Sequence, residues 1–226
     1  MRLVRQVLTI AAKDLRAELR TKEAINASLA FALVILLMFS FAFDPEADTT
    51  REISGGLLWI VFAFAGTLIL NRSFAREIPN DCLDALISAP IPGAALFLGK
   101  AIANFLMVLA VELVSLPIFG IFYNVHWAQQ PAQLFGVLVL ATWGLTVIGT
   151  IFSALTVNIR LREVMLPMLT YPILVPALMG AMRLTAVLVL GKPIAGDDLS
   201  WLKMLIGFDV MYTAASLVLI ETVLVS

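Results

Sequence analysis

Six long apolar stretches alternate with shorter polar segments along most of the chain. The stretches cover residues 25–43, 53–70, 101–123, 132–157, 164–182 and 201–220. A helix rises about 1.5 Å per residue, so stretches of this length can cross a hydrocarbon core of about 30 Å. Backbone groups in lipid must find hydrogen-bond partners within the segment, which favours helices over open strands. The pattern predicts an all-α integral membrane protein with six transmembrane helices.

The composition excludes several classes of function. Hydrophobic residues make up 61% of the 226 residues and charged residues 14%, against about 25% charged residues in soluble domains. A single cysteine allows no intrachain disulfide, and with a single histidine it argues against a zinc or iron–sulfur site, so no metal is expected. The net charge of −1 gives no reason to expect nucleic-acid binding. We find no G-x-x-x-x-G-K-[ST] loop, so we expect a non-catalytic chain whose ATP, if used, is bound by another subunit.

Lysine and arginine fall mainly on one side of the predicted spans. Eleven of the 15 precede the first span or lie in the second and fourth connecting segments. The opposite side holds the other four, which are Arg51, Arg183, Lys192 and Lys203. Because segments rich in Lys and Arg stay on the cytoplasmic side, the bias predicts a multi-pass membrane protein with both termini cytoplasmic.

The segment before the first span is amphipathic. At 100° per residue, one face carries the basic side chains of Arg2, Arg5, Lys13, Arg16 and Arg20. The opposite face carries Leu3, Val4, Val7, Leu8, Ala11 and Leu15. We predict that residues 1–24 form an interfacial helix on the inner surface and that residues 25–226 form the six-helix domain. The alternative is a loose tail with ordinary flanking charge.

The residues after the fifth span do not read as a simple loop. Arg183 is followed by an apolar run, residues 184–190, that is too short to cross, and then by Gly191, Pro193 and Gly196. One interpretation is a re-entrant or interfacial hairpin on the outer side. The other is a long, tilted fifth span whose Arg183 snorkels towards water. Of these two interpretations, we include the small outer hairpin in the predicted architecture.

The polar segment between the second and third spans, residues 71–100, is the most informative. Pro79 and Pro90 bracket a short run that predicts a helix at residues 81–88, with Asn80 or Asp81 as its cap. An apolar stripe at helical spacing and several charges could seat this helix in a motor subunit, as an ATPase-coupling helix. The candidate coupling residues are Arg76, Glu77, Asp81, Cys82, Leu83, Asp84, Leu86 and Ile87. The alternative is a plain linking loop. A second coupling contact is predicted at residues 158–163, through Arg160, Arg162 and Glu163.

Two acids lie inside predicted spans. Glu112 is about 18 Å beyond Lys100 along the third span, near the membrane midplane. It is either a pathway or gate residue, or a protonated or hydrogen-bonded acid that tightens packing. Asp209 in the sixth span ranks below it. His126 stands beside Trp127 in the outer segment after the third span, and an interfacial tryptophan with a solvent histidine is the favoured interpretation.

Several motifs, in order and over nearly the full length, resemble one known family. They are Lys13-Asp14-Leu15-Arg16 with Glu18-Leu19-Arg20, Phe41-Ala42-Phe43-Asp44-Pro45, Asn71-Arg72-Ser73-Phe74-Ala75-Arg76-Glu77, Cys82-Leu83-Asp84-Ala85-Leu86, Ala89-Pro90, Phe97-Leu98-Gly99-Lys100, Val111-Glu112-Leu113, Leu166-Pro167 and Pro172-Ile173-Leu174-Val175-Pro176. Together they are similar to the CcmB family, the permeases of the cytochrome c maturation haem exporter, within the ABC-2 exporter permeases. The chain departs from that pattern at Asp81, where the family usually has glycine, and this bears on the local turn.

The resemblance implies a type V exporter-like permease with an N-terminal interfacial helix and a coupling helix. It implies a CcmA-like ATPase as partner, together with a CcmC-like haem-handling protein, a small CcmD-like subunit and a CcmE-like periplasmic haem chaperone. ATP would act through the ATPase, and no cofactor is assigned to this chain. Haem is a candidate handled ligand, whose iron His126 could contact. The resemblance also implies a location in the bacterial inner membrane. Lipid and a second permease copy are further expected contacts.

Other functions stay open on the sequence. An ABC-2 permease for lipid, polysaccharide or drug would have the same composition. An intramembrane enzyme is disfavoured by the single histidine and the absence of H-E-x-x-H and G-x-S-x-G motifs. A proton-coupled carrier would use Glu112 and Asp209, but we see no inverted repeat with paired broken helices.

Overall fold

A computed structural model of the chain describes residues 2–43, 48–78, 86, 88–123, 129–157 and 159–225. Most of the predicted coupling helix lies outside these residues, including Asp81, Cys82, Leu83, Asp84 and Ile87. His126 with Trp127, and Asn158 of the second predicted contact, lie outside them as well.

The described chain is helical, with no strand among its residues. Its seven α-helices are α1 (Arg2–Thr21), α2 (Glu23–Ala42), α3 (Asp48–Ser73), α4 (Gly93–Phe122), α5 (Pro131–Thr156), α6 (Arg162–Val189) and α7 (Asp198–Val225), and a 3₁₀ turn spans Ala75–Glu77. The six helices α2 to α7 are long and apolar enough to cross a membrane. The predicted all-α fold with six spans is therefore confirmed.

The helices α3 and α5 form the centre of the bundle, whereas α2 and α7 are the most exposed spans. On α3, Gly55 lies so close to α6 that an added Cβ would be 2.8 Å from the carbonyl oxygen of Met182. Further along the same interface, Trp59 Nε1 donates a hydrogen bond to Thr185 Oγ1 at 2.9 Å. Close backbone approach and interhelical hydrogen bonds are the interactions that hold helices together where lipid weakens the hydrophobic effect.

The helix α1 lies at one end of the bundle and packs mainly against α4. Its apolar residues divide between two faces. Val7, Ile10 and Ala11 are buried against the bundle, whereas Leu3, Val4, Leu8 and Leu19 are exposed. The basic side chains of Arg5, Arg16 and Arg20 are also exposed. The helix therefore has a protein-facing side, an exposed apolar side and a basic side, which is the arrangement that an interfacial position requires.

A single residue joins α1 to α2. Lys22 takes the left-handed conformation, with φ of 55°, and is the one non-glycine residue with positive φ in the described chain. Its side chain makes no capping hydrogen bond to α2. Instead, Glu18 Oε1 accepts a hydrogen bond from the N–H of Ile25 at 2.9 Å. An acid of α1 thus satisfies one of the free amides at the start of α2, where negative charge is favoured.

The prediction of an outer hairpin after the fifth span is wrong. Helix α6 continues unbroken through Arg183 to Val189, and residues 190–197 form only a short connection to α7. Because the Arg183 side chain is largely exposed and lies 3.6 Å from a carboxylate oxygen of Asp198, its charge does not have to end the helix. The alternative of a long fifth span is the one that the structure supports.

Helix α4 begins earlier than the apolar pattern predicted. Its first residue is Gly93, directly after Pro92, so Lys100 lies two turns inside the helix. The prediction had placed Lys100 in the polar segment because it carries a charge.

Candidate functional site

A cluster of four charged side chains joins α1, the 3₁₀ turn and α4 at the α1 end of the bundle. Lys100 Nζ donates to Asp14 Oδ2 at 3.1 Å and to Glu77 Oε1 at 3.0 Å. Lys13 Nζ donates to the same Glu77 oxygen at 2.5 Å and lies 3.2 Å from Asp14 Oδ1. Two cations thus face two anions, and three separate elements are tied together through side chains. We call Lys13, Asp14, Glu77 and Lys100 the ion cluster.

Lys100 is fully buried in this cluster. Its third donor contact is the carbonyl oxygen of Ser73, at 3.0 Å, and its ammonium lies 4.9 Å from the centre of the Phe74 ring. All three N–H groups of the ammonium therefore have acceptors. A buried ammonium without such partners would cost several kcal/mol, so the position of α1 and of the 3₁₀ turn is what allows this lysine to be buried.

Lys13 lies at the edge of the cluster, where its side chain is 45% exposed. Partial burial lowers its pKa, but the hydrogen bond to Glu77 and the charge of Asp14 outweigh that effect, so the pKa is raised above its ordinary value.

A second ion pair links α1 to the 3₁₀ turn. The guanidinium of Arg76 donates to Glu18, whose side chain is 1% exposed. Burial raises the pKa of Glu18. The hydrogen bond from the Ile25 amide and the charge of Arg76 lower it by a larger amount, so the net pKa is below its ordinary value. Glu18 thereby connects α1, α2 and the turn at one point.

The polar contacts continue into the bundle from the ion cluster. Asn104, one turn beyond Lys100 on α4, donates to Ser73 Oγ at 2.8 Å and to Thr150 Oγ1 at 2.9 Å. This places α3, α4 and α5 in one hydrogen-bonded layer. A displacement of the polar segment after α3 would therefore also shift α1 and the three spans α3, α4 and α5.

The structure places the described candidate coupling residues in two different settings. Arg76 and Glu77 face their own chain, and the half-buried Leu86 packs against the apolar cluster around Phe74 and Phe97. By contrast, residues 159–164, between α5 and α6 and in the first turn of α6, form an open surface. Arg160 and Glu163 are exposed there, Arg162 is partly exposed, and Leu161 and Val164 are 68% and 61% exposed.

Glu112 is fully buried within α4. Its Oε2 accepts a hydrogen bond from Thr142 Oγ1 of α5 at 2.6 Å, while Oε1 has no hydrogen-bond partner among the described residues. The described part of the chain offers this carboxylate no ion pair. The contact with Thr142 joins two spans near the middle of α4.

Asp209 occupies a comparable position on α7. It is 6% exposed, and neither carboxylate oxygen has a hydrogen-bond partner among the described residues. Glu112 and Asp209 share no hydrogen-bond partner among the described residues. No group of three or more potential metal ligands occurs in the described chain.

Sequence reasoning missed Asp14, Glu18 and Lys100 as functional candidates. A signal was present, because Asp14 and Glu18 are four residues apart and lie on the same side of α1 as Val7 and Ala11. Acids on the apolar side of an amphipathic helix require partners, and the partners come from residues 76–100.

Six helices that are long and apolar enough to cross a membrane, joined at one end by ion pairs, define a multispanning membrane protein. A family model described as CcmB protein matches residues 5–221, which include nearly all of the chain. The chain belongs to the CcmB family, and the resemblance seen in its motifs is confirmed.

Three relatives show the extent of the similarity. The chain is 32% identical to Heme exporter protein B of Rhodobacter capsulatus over 171 residues, which is 75% of this chain and 77% of that protein. It is 31% identical to Heme exporter protein B of Paracoccus denitrificans over 166 residues, or 74% and 76% of the two chains. Its identity to Heme exporter protein B of Pseudomonas aeruginosa is 29% over 198 residues, 87% of each.

Proposed function

We propose that this chain is the membrane permease subunit of an ATP-driven complex that exports or handles haem for c-type cytochrome biogenesis. The observation that carries the proposal is the family match over residues 5–221, together with relatives named Heme exporter protein B. The chain would lie in the bacterial inner membrane with both termini cytoplasmic, so the ion cluster would be at the cytoplasmic surface.

The chain would supply the membrane path and a partner would supply the energy. The partner is a CcmA-like ATPase, since the chain has no phosphate-binding loop of the G-x-x-x-x-G-K-[ST] type. The result of ATP hydrolysis would be delivery of haem, or release of a haem-loaded CcmE-like chaperone, on the periplasmic side. CcmC-like and CcmD-like membrane subunits would complete the assembly.

The first test is haem staining of membrane and periplasmic proteins from a strain that lacks the gene, beside the complemented strain. We expect all covalent-haem bands to disappear in the mutant and to return on complementation. Spectra of b-type haem proteins serve as the control for haem synthesis and should not change. Unchanged covalent-haem bands would contradict the assignment and leave a permease for another cargo.

Within this function, the ATPase would grip the open turn between α5 and α6. Leu161 supplies an exposed apolar side chain, and Arg160 and Glu163 supply charges beside it, as a docking contact requires. The segment after Glu77, which contains Cys82, would provide the second contact. The ion cluster would pass its displacement to α1 and α4.

The docking contact can be tested by replacing Arg160 and Leu161 together with alanine and measuring how much ATPase co-purifies. We expect a loss of at least about fivefold, because truncating an interface anchor weakens binding to this extent. The matched control replaces Leu19 and Arg20, an exposed apolar–basic pair on α1. Equal retention of the ATPase by both double variants would place the contact elsewhere.

A further inference from the structure

A groove of about 630 Å³ runs along α7 on the outside of the bundle, between α7, α5 and α4. Its walls are almost entirely apolar and include Phe105, Leu140, Trp143, Val210 and Leu217. The hydroxyl of Thr213 also lines it, but this oxygen already accepts a hydrogen bond from Trp143 Nε1 at 3.0 Å. The groove would therefore be an ordinary lipid-facing surface if Asp209 were not in its wall.

Asp209 is the feature that separates this groove from a lipid-facing surface. Its carboxylate is buried, both oxygens lack a hydrogen-bond partner in the described chain, and the side chain lines the groove. The absence of a side chain at Gly144 makes room for it, since a Cβ there would be 2.7 Å from Asp209 Oδ1. An ionised carboxylate at this depth costs several kcal/mol unless it has a donor or a counter-charge, and the lipid chains around it provide neither.

The outer face of α7 is shaped for another helix. Ile206, Val210 and Ala214 line the groove, recur at helical spacing and are all exposed. Small residues on a lipid-facing side allow a neighbouring backbone to come close. From Ile206 to Leu217 the lined stretch of α7 is about 16 Å long, which is three turns of a helix.

We propose that this groove is the docking site for a membrane-spanning helix of a different subunit, and that this helix carries a lysine or arginine opposite Asp209. The apolar walls would hold the body of that helix, and the basic side chain would supply the missing donors and counter-charge. A second copy of this chain fits poorly, since a two-fold contact across α7 would bring one Asp209 towards the other. The site does not depend on which cargo the complex transports.

Site-specific photo-cross-linking in native membranes tests the proposal. Benzoylphenylalanine placed at Val210, in the full-length chain, should give an adduct with another protein in cells that lack the natural copy. Mass spectrometry should map the adduct to a membrane-spanning segment with Lys or Arg near its middle. The matched control is the probe at Val34, a similarly exposed valine on α2, which should not give this adduct.

Changes at Asp209 then test the charge. In the Asp209→Leu background the yield of adduct should fall roughly threefold to tenfold, the range expected for loss of one polar contact between helices. Asp209→Lys should abolish it, and an acid at the mapped basic position of the other subunit should restore it. Protein amount and elution volume in detergent report folding, and the isosteric Asp209→Asn replaces the leucine variant if that one fails to accumulate.

Four outcomes would overturn the proposal. They are adducts with lipid only, adducts with a second copy of this chain, adducts with a segment that has no basic residue, and a yield that is the same in every Asp209 variant. A failed haem-staining test would not contradict this proposal, because the cross-linking experiment measures contact between helices and does not depend on the cargo.

Discussion

Lys100 is the residue on which the ion cluster depends most, because it is fully buried and contacts both acids of the cluster. Lys100→Met would leave Asp14 and Glu77 with only the partly exposed Lys13. We expect a loss of about 3 kcal/mol in stability, as when one partner of a buried pair is removed. The melting temperature in detergent should fall by about 5–10 °C, whereas Lys203→Met, at an exposed lysine, should leave it unchanged. An unaltered melting temperature for Lys100→Met would show that the cluster does not hold α1 in place.

Glu112 offers a second test at the level of one residue. Glu112→Gln keeps the size of the side chain and an oxygen that can accept the hydrogen bond from Thr142, but it removes the ionisable proton. If the acid acts in the pathway, holocytochrome c should fall several-fold while the amount of the permease stays the same. Ser115→Ala is the control, because Ser115 is a buried polar residue of the same helix and its hydroxyl has no partner in the described chain. Normal holocytochrome c in Glu112→Gln would limit Glu112 to helix packing.

Among the elements, the contact between α1 and α4 leaves no room for added volume at Gly99. A Cβ at Gly99 would lie 2.7 Å from Ile10 Cβ and 3.0 Å from the carbonyl oxygen of Val7. Gly99→Ala should therefore push α1 away from α4 and cost about 1–3 kcal/mol, the usual range for overpacking.

The readout for Gly99→Ala is protease cleavage within α1 in inside-out vesicles, which should become faster as α1 loosens. Gly136→Ala on α5 is the matched control, because nothing lies within 4 Å of a Cβ there. Equal cleavage rates in the two variants would mean that α1 is held by something other than this packing.

The elements could be predicted from sequence where a single property decides them. Six uninterrupted apolar stretches were enough for the six spans, since lipid leaves the backbone no other solution. Prediction failed where a charge was taken as the end of a helix. Lys100 and Arg183 are both inside helices, and what permits this is a partner distant in sequence, Asp14 or Glu77 for the first and Asp198 for the second.

The candidate site was predictable only in part for the same reason. Arg76 and Glu77 were identified as charges near a coupling segment, but their ion pairs with Glu18, Lys13 and Lys100 depend on how α1 crosses α4. Helical spacing shows which residues share a face of one helix. It does not show which other element that face will meet. Whether these residues couple to an ATPase stays a prediction.

For the whole molecule, the pairs at the base of the bundle predict a dependence of stability on pH. The pKa of Glu18 is lower in the folded state than its ordinary value of 4.5. Such an acid stabilises the fold at pH values above its unfolded pKa, and that contribution is lost as the pH falls through the folded pKa. Wild type should therefore be more stable than Glu18→Gln at neutral pH, by about 1–3 kcal/mol, and the difference should shrink below about pH 4.5.

Melting temperatures in detergent between neutral and acidic pH would measure this effect. Glu163→Gln is the control, because Glu163 is exposed in the first turn of α6 and has no ion pair in the described chain. A difference between wild type and Glu18→Gln that stayed constant with pH would mean that the charge on Glu18 does not contribute to folding.

The one-residue joint at Lys22 has a mechanical consequence. Helix α1 is about 30 Å long, so a tilt of about 5° at this joint would sweep its far end through about 2.6 Å along the membrane surface. The joint alone would make α1 a free lever. Asp14 and Glu18 also attach α1 to α4 and to the turn after α3. Helix α1 is therefore held at three places and cannot pivot about Lys22 by itself. A push on the segment after Glu77 would then turn α1, α2 and the start of α4 together, without a delay between them.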